Sequence, residues 1–223
     1  MQNPDDFLQK QILRYLTITF SVLCEYLTSE TNRIRSAAFA AIRLIITYGL
    51  KPQFLQTQSK DDITSILNFD ALTISEEVDN IRNDRRSKKK LSGQDKLLIH
   101  ICYLLSSRFE MQYEFVLKIV ETFVEKVGKA LDGSKLSDLL KLVSEIKIQK
   151  TNYTTWNESL GCFLQVMGPE SFFKVLPLHL MDHDMNSLKY AQDSRSYLIL
   201  VIGKYLKKGD LVFFMSYLLP QIN

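Results

Sequence analysis

The stretch TNRIRSAAFAAIRLIITYGLKP, residues 31–52, decides the fold of this chain. Its apolar side chains recur at spacings of three and four residues, which is the period of one face of a helix. Polar residues at its start offer an N-cap, Gly49 is available for the left-handed residue that ends many helices, and Pro52 follows. The periodic positions are Ile34, Ala37, Ala38, Ala41, Ile42, Ile45 and Tyr48. The stretch therefore predicts one amphipathic helix with a defined end.

The segment before this helix has the same period and predicts a partner for it. Its periodic positions are Leu8, Ile12, Tyr15, Leu16, Thr19, Leu23, Tyr26 and Leu27. Only the polar turn of residues 29–32 separates the two helices, so we expect them to pack on each other as an antiparallel pair.

Helical periodicity returns after residue 93 and continues to the end of the chain. Eight glycines and five prolines in 223 residues are too few for a sheet-rich fold with many tight turns. About ten helices joined by short turns predict an all-α fold, an α-solenoid of antiparallel helix pairs. The apolar last element, 211–220, lacks the polar face of a capping repeat. Residues 1–223 are therefore expected to form a single solenoid segment, a piece of a longer repeat protein.

Composition predicts an intracellular, soluble protein. The net charge of +3 is too small to indicate a nucleic-acid binder by itself, so any basic signal must be local. Cys24, Cys102 and Cys162 are far apart among apolar neighbours, which fits a reducing compartment rather than a disulfide framework. No apolar stretch is long enough for a membrane span, and the N-terminus lacks the pattern of a secretory signal.

A basic run marks a different kind of segment between the helices. Residues 56–92 lose the apolar period and are predicted to be a flexible basic insertion. Six of the nine residues from 82 to 90 are basic: Arg82, Arg85, Arg86, Lys88, Lys89 and Lys90. Three interpretations stay open: salt-sensitive binding of RNA or DNA phosphates, a nuclear localisation signal, and a solvated loop. No aromatic residue interrupts the run, so base stacking has no support there.

Residues that could support catalysis or metal binding are not arranged for either role. His179 and His183 have the spacing of two ligands on a helix face, but no third ligand is in register. The cysteines have no clustered histidine partner, and there is no glycine-rich phosphate loop or nucleophile elbow. We therefore predict a non-enzymatic protein without a cofactor, a metal or a small-molecule substrate.

Two sets of residues resemble known families. Ile34-Arg35-Ser36-Ala37-Ala38 and the residues after it resemble the second helix of a HEAT repeat, in which such an arginine tends to pair with a neighbouring repeat. Near the C-terminus come LPLHL at 176–180, SRSYLIL at 194–200 and FFMSYLLP at 213–220. This ordered set resembles the HEAT-repeat region of the ribosomal RNA-processing protein 12 family, with His179 replacing an asparagine and Tyr197 a tryptophan.

The resemblance implies a HEAT-like scaffold of the nucleolus and nucleus that shuttles to the cytoplasm. Such a scaffold associates with precursor ribosomal RNA and assembling small-subunit particles, and aids their maturation and nuclear export. The candidate nucleic-acid contacts remain those of the basic run, which rest on its charge and not on the resemblance. Arg195 of the motif is expected to have a structural role first and an RNA contact second. The alternative is a karyopherin-like or general HEAT adaptor that binds protein cargo or a small GTPase.

Overall fold

The structure is a computed structural model, and it describes residues 4–50, 93–146, 148–178, 195, 197–206 and 211–221. In these ranges the chain forms helices and turns, and no strand is found among them. The α-helices are α1 (Pro4–Tyr26), α2 (Asn32–Leu44), α3 (Gly93–Leu104), α4 (Tyr113–Val127), α5 (Gly133–Glu145), α6 (Tyr153–Met167), α7 (Pro169–Val175), α8 (Tyr197–Tyr205) and α9 (Leu211–Phe213). A π-helical turn, Ile45–Gly49, extends α2, and Phe214–Leu218 extends α9 in the same way before the 3-10 turn Leu219–Gln221.

The helices stack in two layers, as an α-solenoid requires. The A layer contains α1, α3, α5 and α7, and the B layer contains α2, α4, α6 and α8. In the A layer α1 packs on α3 and α5 packs on α7, and in the B layer α2, α4, α6 and α8 pack in succession. Within the pairs, α1 contacts α2 and α5 contacts α6. Each pair therefore rests on its neighbours in the chain, which confirms the predicted α-solenoid.

Two further contacts join parts of the stack that are distant in sequence. The Lys135 ammonium lies 2.9 Å from a carboxylate oxygen of Asp95, and this pair joins α5 to the first turn of α3. The Asp95 side chain is fully buried. Further along the stack, the ring of Phe213 lies 5.4 Å from that of Phe173, so the segment that begins with α9 packs on α7.

A continuous apolar core runs between the layers from Phe20 to Phe213. Helix α3 shows how complete the burial is: every residue from Leu97 to Leu105, at and just beyond its C-terminal end, is buried. A helix that is buried all round needs neighbours on several sides. Helix α3 has α1 on one side and is tied to α5 on the other by the ion pair of Asp95 and Lys135.

In the middle of the stack, the apolar residues that recur with the helical period are buried. In α4, α5 and α6 the buried residues include Ile119, Val120, Phe123, Val124, Leu136, Leu139, Leu140, Trp156, Leu160 and Phe163. These helices have neighbours on both sides, so the periodic apolar face is also the buried one.

The predicted core face is partly wrong in the first pair. Of the α1 positions, Leu27 is buried, whereas Ile12, Tyr15, Thr19 and Tyr26 are exposed, and the buried stripe passes instead through residues such as Phe20 and Cys24. In α2, Ala38 and Ile42 are buried, but Ile34, Ala37 and Tyr48 are exposed. Both helices carry apolar residues on two faces, and only one of these faces meets another described helix.

Two glycines end helices in different ways, and the prediction for the first is wrong. Gly49 does not take the left-handed conformation, because α2 ends in a π-helical turn and Leu50 N–H donates to the carbonyl of Ile45 at 3.2 Å. Gly168 has a positive φ of 78° with an extended ψ of 158° between α6 and α7. This φ is one that side chains with a Cβ rarely adopt, so Gly168 permits the sharp turn into Pro169.

Candidate interaction surface

Polar side chains join the B-layer helices to one another along a partly buried line. Between α2 and α4, Arg43 donates from Nε to the hydroxyl of Thr122 at 3.2 Å. The Thr122 hydroxyl in turn donates to the carbonyl of Lys118, one turn earlier, at 2.8 Å. A hydroxyl can accept and donate at once, so the Thr122 hydroxyl donates to a carbonyl of α4 and accepts a hydrogen bond from α2.

The same line of contacts continues from α4 to α6 and α8. The Lys118 ammonium lies 2.7 Å from one carboxylate oxygen of Glu158 and 2.9 Å from a carboxylate oxygen of Glu121. The other oxygen of Glu158 lies 3.7 Å from the ammonium of Lys204. We call this set of six residues the B-layer ladder: Arg43, Thr122, Lys118, Glu121, Glu158 and Lys204. It crosses each of the three joints between helices of this layer.

Hydrogen bonds within the ladder shift the pKa values of Glu158 and Lys118. The hydrogen bond from Lys118 lowers the pKa of Glu158, and this outweighs the opposing effect of partial burial. Burial alone would lower the pKa of Lys118, but the hydrogen bonds to Glu158 and Glu121 raise it. Both shifts favour the charged forms of Lys118 and Glu158, so the ladder pairs charges of opposite sign rather than offering a cluster of one sign.

The structure gives the C-terminal motif a packing role. Arg195 donates from Nη1 to the carbonyl of Pro177 at 3.3 Å, so the SRSYLIL stretch bonds to the LPLHL stretch. Two residues later, the Tyr197 ring lies 4.7 Å from the Trp156 ring, and Trp156 donates from its indole nitrogen to the carbonyl of Val143 at 2.8 Å. The motif residues thus hold α8 against α6 and the end of α5.

Arg35, the arginine of the HEAT-like stretch, does not bond as the resemblance implies. Its guanidinium donates to the carbonyls of Ser29 and Glu30, at 2.7 and 3.0 Å. These carbonyls belong to the turn just before its own helix, so Arg35 stabilises the corner of the first pair rather than a neighbouring repeat. The guanidinium thus satisfies two carbonyls of the turn that joins α1 to α2.

The structure does not describe the predicted nucleic-acid contacts. Arg82, Arg85, Arg86, Lys88, Lys89 and Lys90 lie outside the described residues, as does the whole predicted insertion 56–92. His179 and His183 lie outside them too. Within the described part of the chain, no three His, Cys, Asp or Glu residues are grouped so that they could hold a metal ion.

The three cysteines have surroundings typical of structural residues and not of reactive ones. Cys24 and Cys102 are buried, and burial raises the pKa of both thiols well above the ordinary value. Partial burial, with Glu121 and Glu125 nearby, raises the pKa of Cys162 to about 12. A thiol acts as a nucleophile only when it is deprotonated, so none of the three is prepared for attack at neutral pH. As for membranes, no helix in the described ranges is long and apolar enough to span one.

Sequence reasoning missed the B-layer ladder and the buried pair of Asp95 and Lys135. The contact between Lys118 and Glu121 has a sequence signal, because residues three apart lie on one side of a helix. Glu158 is 40 residues from Lys118, and Lys135 is 40 residues from Asp95. These contacts depend on which helices become neighbours, and the spacing of residues along the sequence does not reveal that.

Two layers of antiparallel pairs, joined at successive positions by side-chain contacts, define a HEAT-type helical-repeat protein. The family model "Ribosomal RNA-processing protein 12, HEAT repeats" matches residues 28–223. This chain belongs to that family.

Curated relatives have the same name but are much longer. The chain is 31% identical over 117 residues, 52% of its length, to "RRP12-like protein" of Gallus gallus. It is 24% identical over 213 residues, 95% of its length, to "Ribosomal RNA-processing protein 12" of Saccharomyces cerevisiae. These matches cover 9% and 15% of the two relatives, so the chain spans a small part of their length. No solved structure matches the chain significantly.

Proposed function

We propose that this protein is a non-enzymatic helical-repeat scaffold in ribosome biogenesis. It associates with precursor ribosomal RNA and assembling small-subunit particles, and it aids their maturation and nuclear export. It works in the nucleolus and nucleus and shuttles to the cytoplasm with its particles. The observation that carries this proposal is the family match over residues 28–223, together with a stacked architecture suited to binding along its length.

The two-layer stack supports a role based on surface rather than on an active site. A solenoid offers an extended face on which many weak contacts act together, and linked contacts raise the overall affinity without any deep pocket. The B-layer ladder keeps neighbouring pairs in register, so the spacing between contact points along this face is maintained.

In this proposal RNA contacts the basic run. Among the described residues several cations already have intramolecular partners: Arg43 bonds to Thr122, Lys118 to Glu121 and Glu158, Lys135 to Asp95, and Arg35 to two carbonyls. A cation paired in this way is a weak phosphate ligand, because its partner must first be released. The dense run from Arg82 to Lys90 contains only one acid, Asp84, and is the better candidate.

The experiment is purification of the tagged protein from cells, with and without nuclease, followed by analysis of both RNA and protein. We expect precursor ribosomal RNA and small-subunit assembly factors to be recovered together. Recovery of protein cargo or a small GTPase without ribosomal RNA, unchanged by nuclease, would instead establish the transport-adaptor alternative and contradict the proposal.

Charge reversal then tests where RNA binds. Changing Arg85, Arg86, Lys88 and Lys89 to Glu should abolish RNA recovery. In vitro it should lower the slope of log affinity against log salt by about 0.7 to 0.9 for each phosphate that the variant no longer neutralises. The matched control reverses four exposed lysines scattered over the stack: Lys126, Lys129, Lys150 and Lys174. An equal loss in both variants would mean that net charge, and not the basic run, governs binding.

A further inference from the structure

Near its start, helix α2 carries an exposed serine that follows an exposed arginine by three positions. The stretch is RIRSA at residues 33–37, in which the arginine is Arg33 and the serine is Ser36. None of the five residues is buried, and the first buried residue of the helix is Ala38. Many protein kinases select a serine with this spacing from an arginine, because an acidic subsite of the enzyme binds the guanidinium.

The structure separates Ser36 from other hydroxyls that have the same spacing. Among the described residues, three follow a basic residue by three positions: Thr17, Ser36 and Ser144. Thr17 is buried, and the hydroxyl of Ser144 donates to the carbonyl of Lys141 at 2.7 Å. The side chains of Arg33 and Ser36 have neither a hydrogen bond nor an ion pair with any described residue. Of the three hydroxyls, Ser36 is therefore the one that an enzyme can reach.

The beginning of α2 can leave the helix without disturbing the core. Its N-cap residue, Thr31, makes no side-chain hydrogen bond to the first turn, and no acidic residue lies in that turn. Opening residues 33–37 breaks backbone hydrogen bonds near the helix end but removes no buried side chain from the core. The contact that opposes opening runs from the Arg35 guanidinium to the carbonyls of Ser29 and Glu30. Opening is required because the serine hydroxyl must approach the γ-phosphorus of ATP in line with the bond that breaks.

We propose that Ser36 is phosphorylated by a protein kinase that selects an arginine three residues before the serine. Its Oγ attacks the γ-phosphorus of ATP bound to the kinase, and a bond from Oγ to phosphorus forms. The bond from this phosphorus to the oxygen that bridges the β- and γ-phosphates breaks, and ADP leaves. The hydroxyl proton passes to a carboxylate base of the kinase.

Phosphorylation changes the charge of α2 more than that of a mixed helix. Residues 32–44 include three arginines and no acid. A phosphoserine brings about −1.5 to −2 charges at neutral pH, so it cancels about half or more of this positive charge. Helix α2 then attracts an anionic partner less strongly. This inference does not depend on the proposed function.

The test incubates the purified protein with Mg·ATP and a kinase that selects arginine at this position, and mass spectrometry locates the phosphate. We expect phosphate on Ser36 and none on Thr17 or Ser144. A synthetic peptide of residues 29–41 is the reference without a stable helix. Absence of phosphate from Ser36 of the folded protein overturns the proposal, and phosphorylation of the peptide alone would show that α2 protects the site.

Variants test whether Arg33 is what the kinase reads. Ser36→Ala should abolish incorporation, and Arg33→Ala should lower its initial rate about tenfold or more through loss of a charge-assisted hydrogen bond. Arg35→Ala is the matched control, because it removes an arginine from the same turn. It should keep or raise the rate, since it also removes the contact that opposes opening. Equal losses in the two arginine variants would overturn the proposal.

The same site is then examined in cells. The tagged protein, purified in the presence of phosphatase inhibitors, should carry phosphate on Ser36, and the Arg33→Ala variant should carry about a tenth as much or less. Circular dichroism should show that each variant is folded. Protein from cells that never carries phosphate on Ser36 overturns the assignment as well.

Discussion

At the scale of single residues, the close approach of α6 and α8 depends on a missing side chain. Gly161 lies in α6, and a Cβ at this position would overlap the ring of Tyr205 in α8. The ring belongs to a side chain packed against the core, so it cannot move away freely. Gly161 was not singled out by any sequence pattern, because its importance arises only where two distant segments meet.

Gly161→Ala should therefore destabilise the protein by about 1 to 3 kcal/mol through overpacking, measured as the free energy of unfolding in urea. The matched control is Gly203→Ala, another glycine within a helix, where a Cβ would meet nothing within 4 Å. The control should be neutral or stabilising by up to about 1 kcal/mol, because alanine favours the helix. Equal effects of the two changes would show that the contact with Tyr205 is unimportant.

At the scale of helices, ion pairs differ in strength according to burial. The pair of Asp95 and Lys135 joins α3 to α5 with an Asp95 side chain that is fully buried and a Lys135 side chain that is 13% exposed. The pair of Lys141 and Asp138, within α5, has a lysine that is 55% exposed. Solvent screens the second pair and not the first.

Lys135→Met should cost about 3 kcal/mol of unfolding free energy, because it leaves a buried carboxylate without its cation. Adding Asp95→Asn should recover part of this loss, since the buried charge is then gone. Lys141→Met is the matched control and should cost at most about 0.5 kcal/mol. Thermal and urea unfolding measure all three, and a loss from Lys135→Met no larger than the control would disprove the structural role.

The B-layer ladder should make stability depend on pH through Glu158. Its pKa is lowered in the folded state, so its contribution is present above the unfolded value of about 4.3 and is lost as pH falls through the folded pKa. Glu158→Gln should thus cost about 0.5 to 1 kcal/mol at neutral pH and almost nothing in acid below both pKa values. Urea unfolding at several pH values measures this, with exposed Glu114→Gln as control. A cost independent of pH would contradict the charge pairing.

At the scale of the whole molecule, the stack behaves as a row of pairs, each of which contacts its neighbours. The free energy of folding is then the sum of a contribution from each helix pair and a contribution from each interface between neighbouring pairs.

Sequence reasoning succeeded where the determining interactions are local. The helices and the short turn of residues 29–32 that joins α1 to α2 follow from period and from turn chemistry within a few residues. It failed at Gly49, where a π-helical turn replaced the expected left-handed cap. It also misassigned Tyr15 and Tyr26 to the core, because a helix with two apolar faces does not itself specify which face meets a neighbour.

The amino-acid sequence by itself therefore determined the helical class, the repeated pairing and the family, since these depend on spacing and on motif residues in order. The tertiary structure alone decided which helices share a layer, which face of α1 is buried, and that Lys118 meets Glu158 and Lys135 meets Asp95. The physical reason is range: a backbone period acts over one or two turns, whereas a joint between pairs brings together residues about forty positions apart.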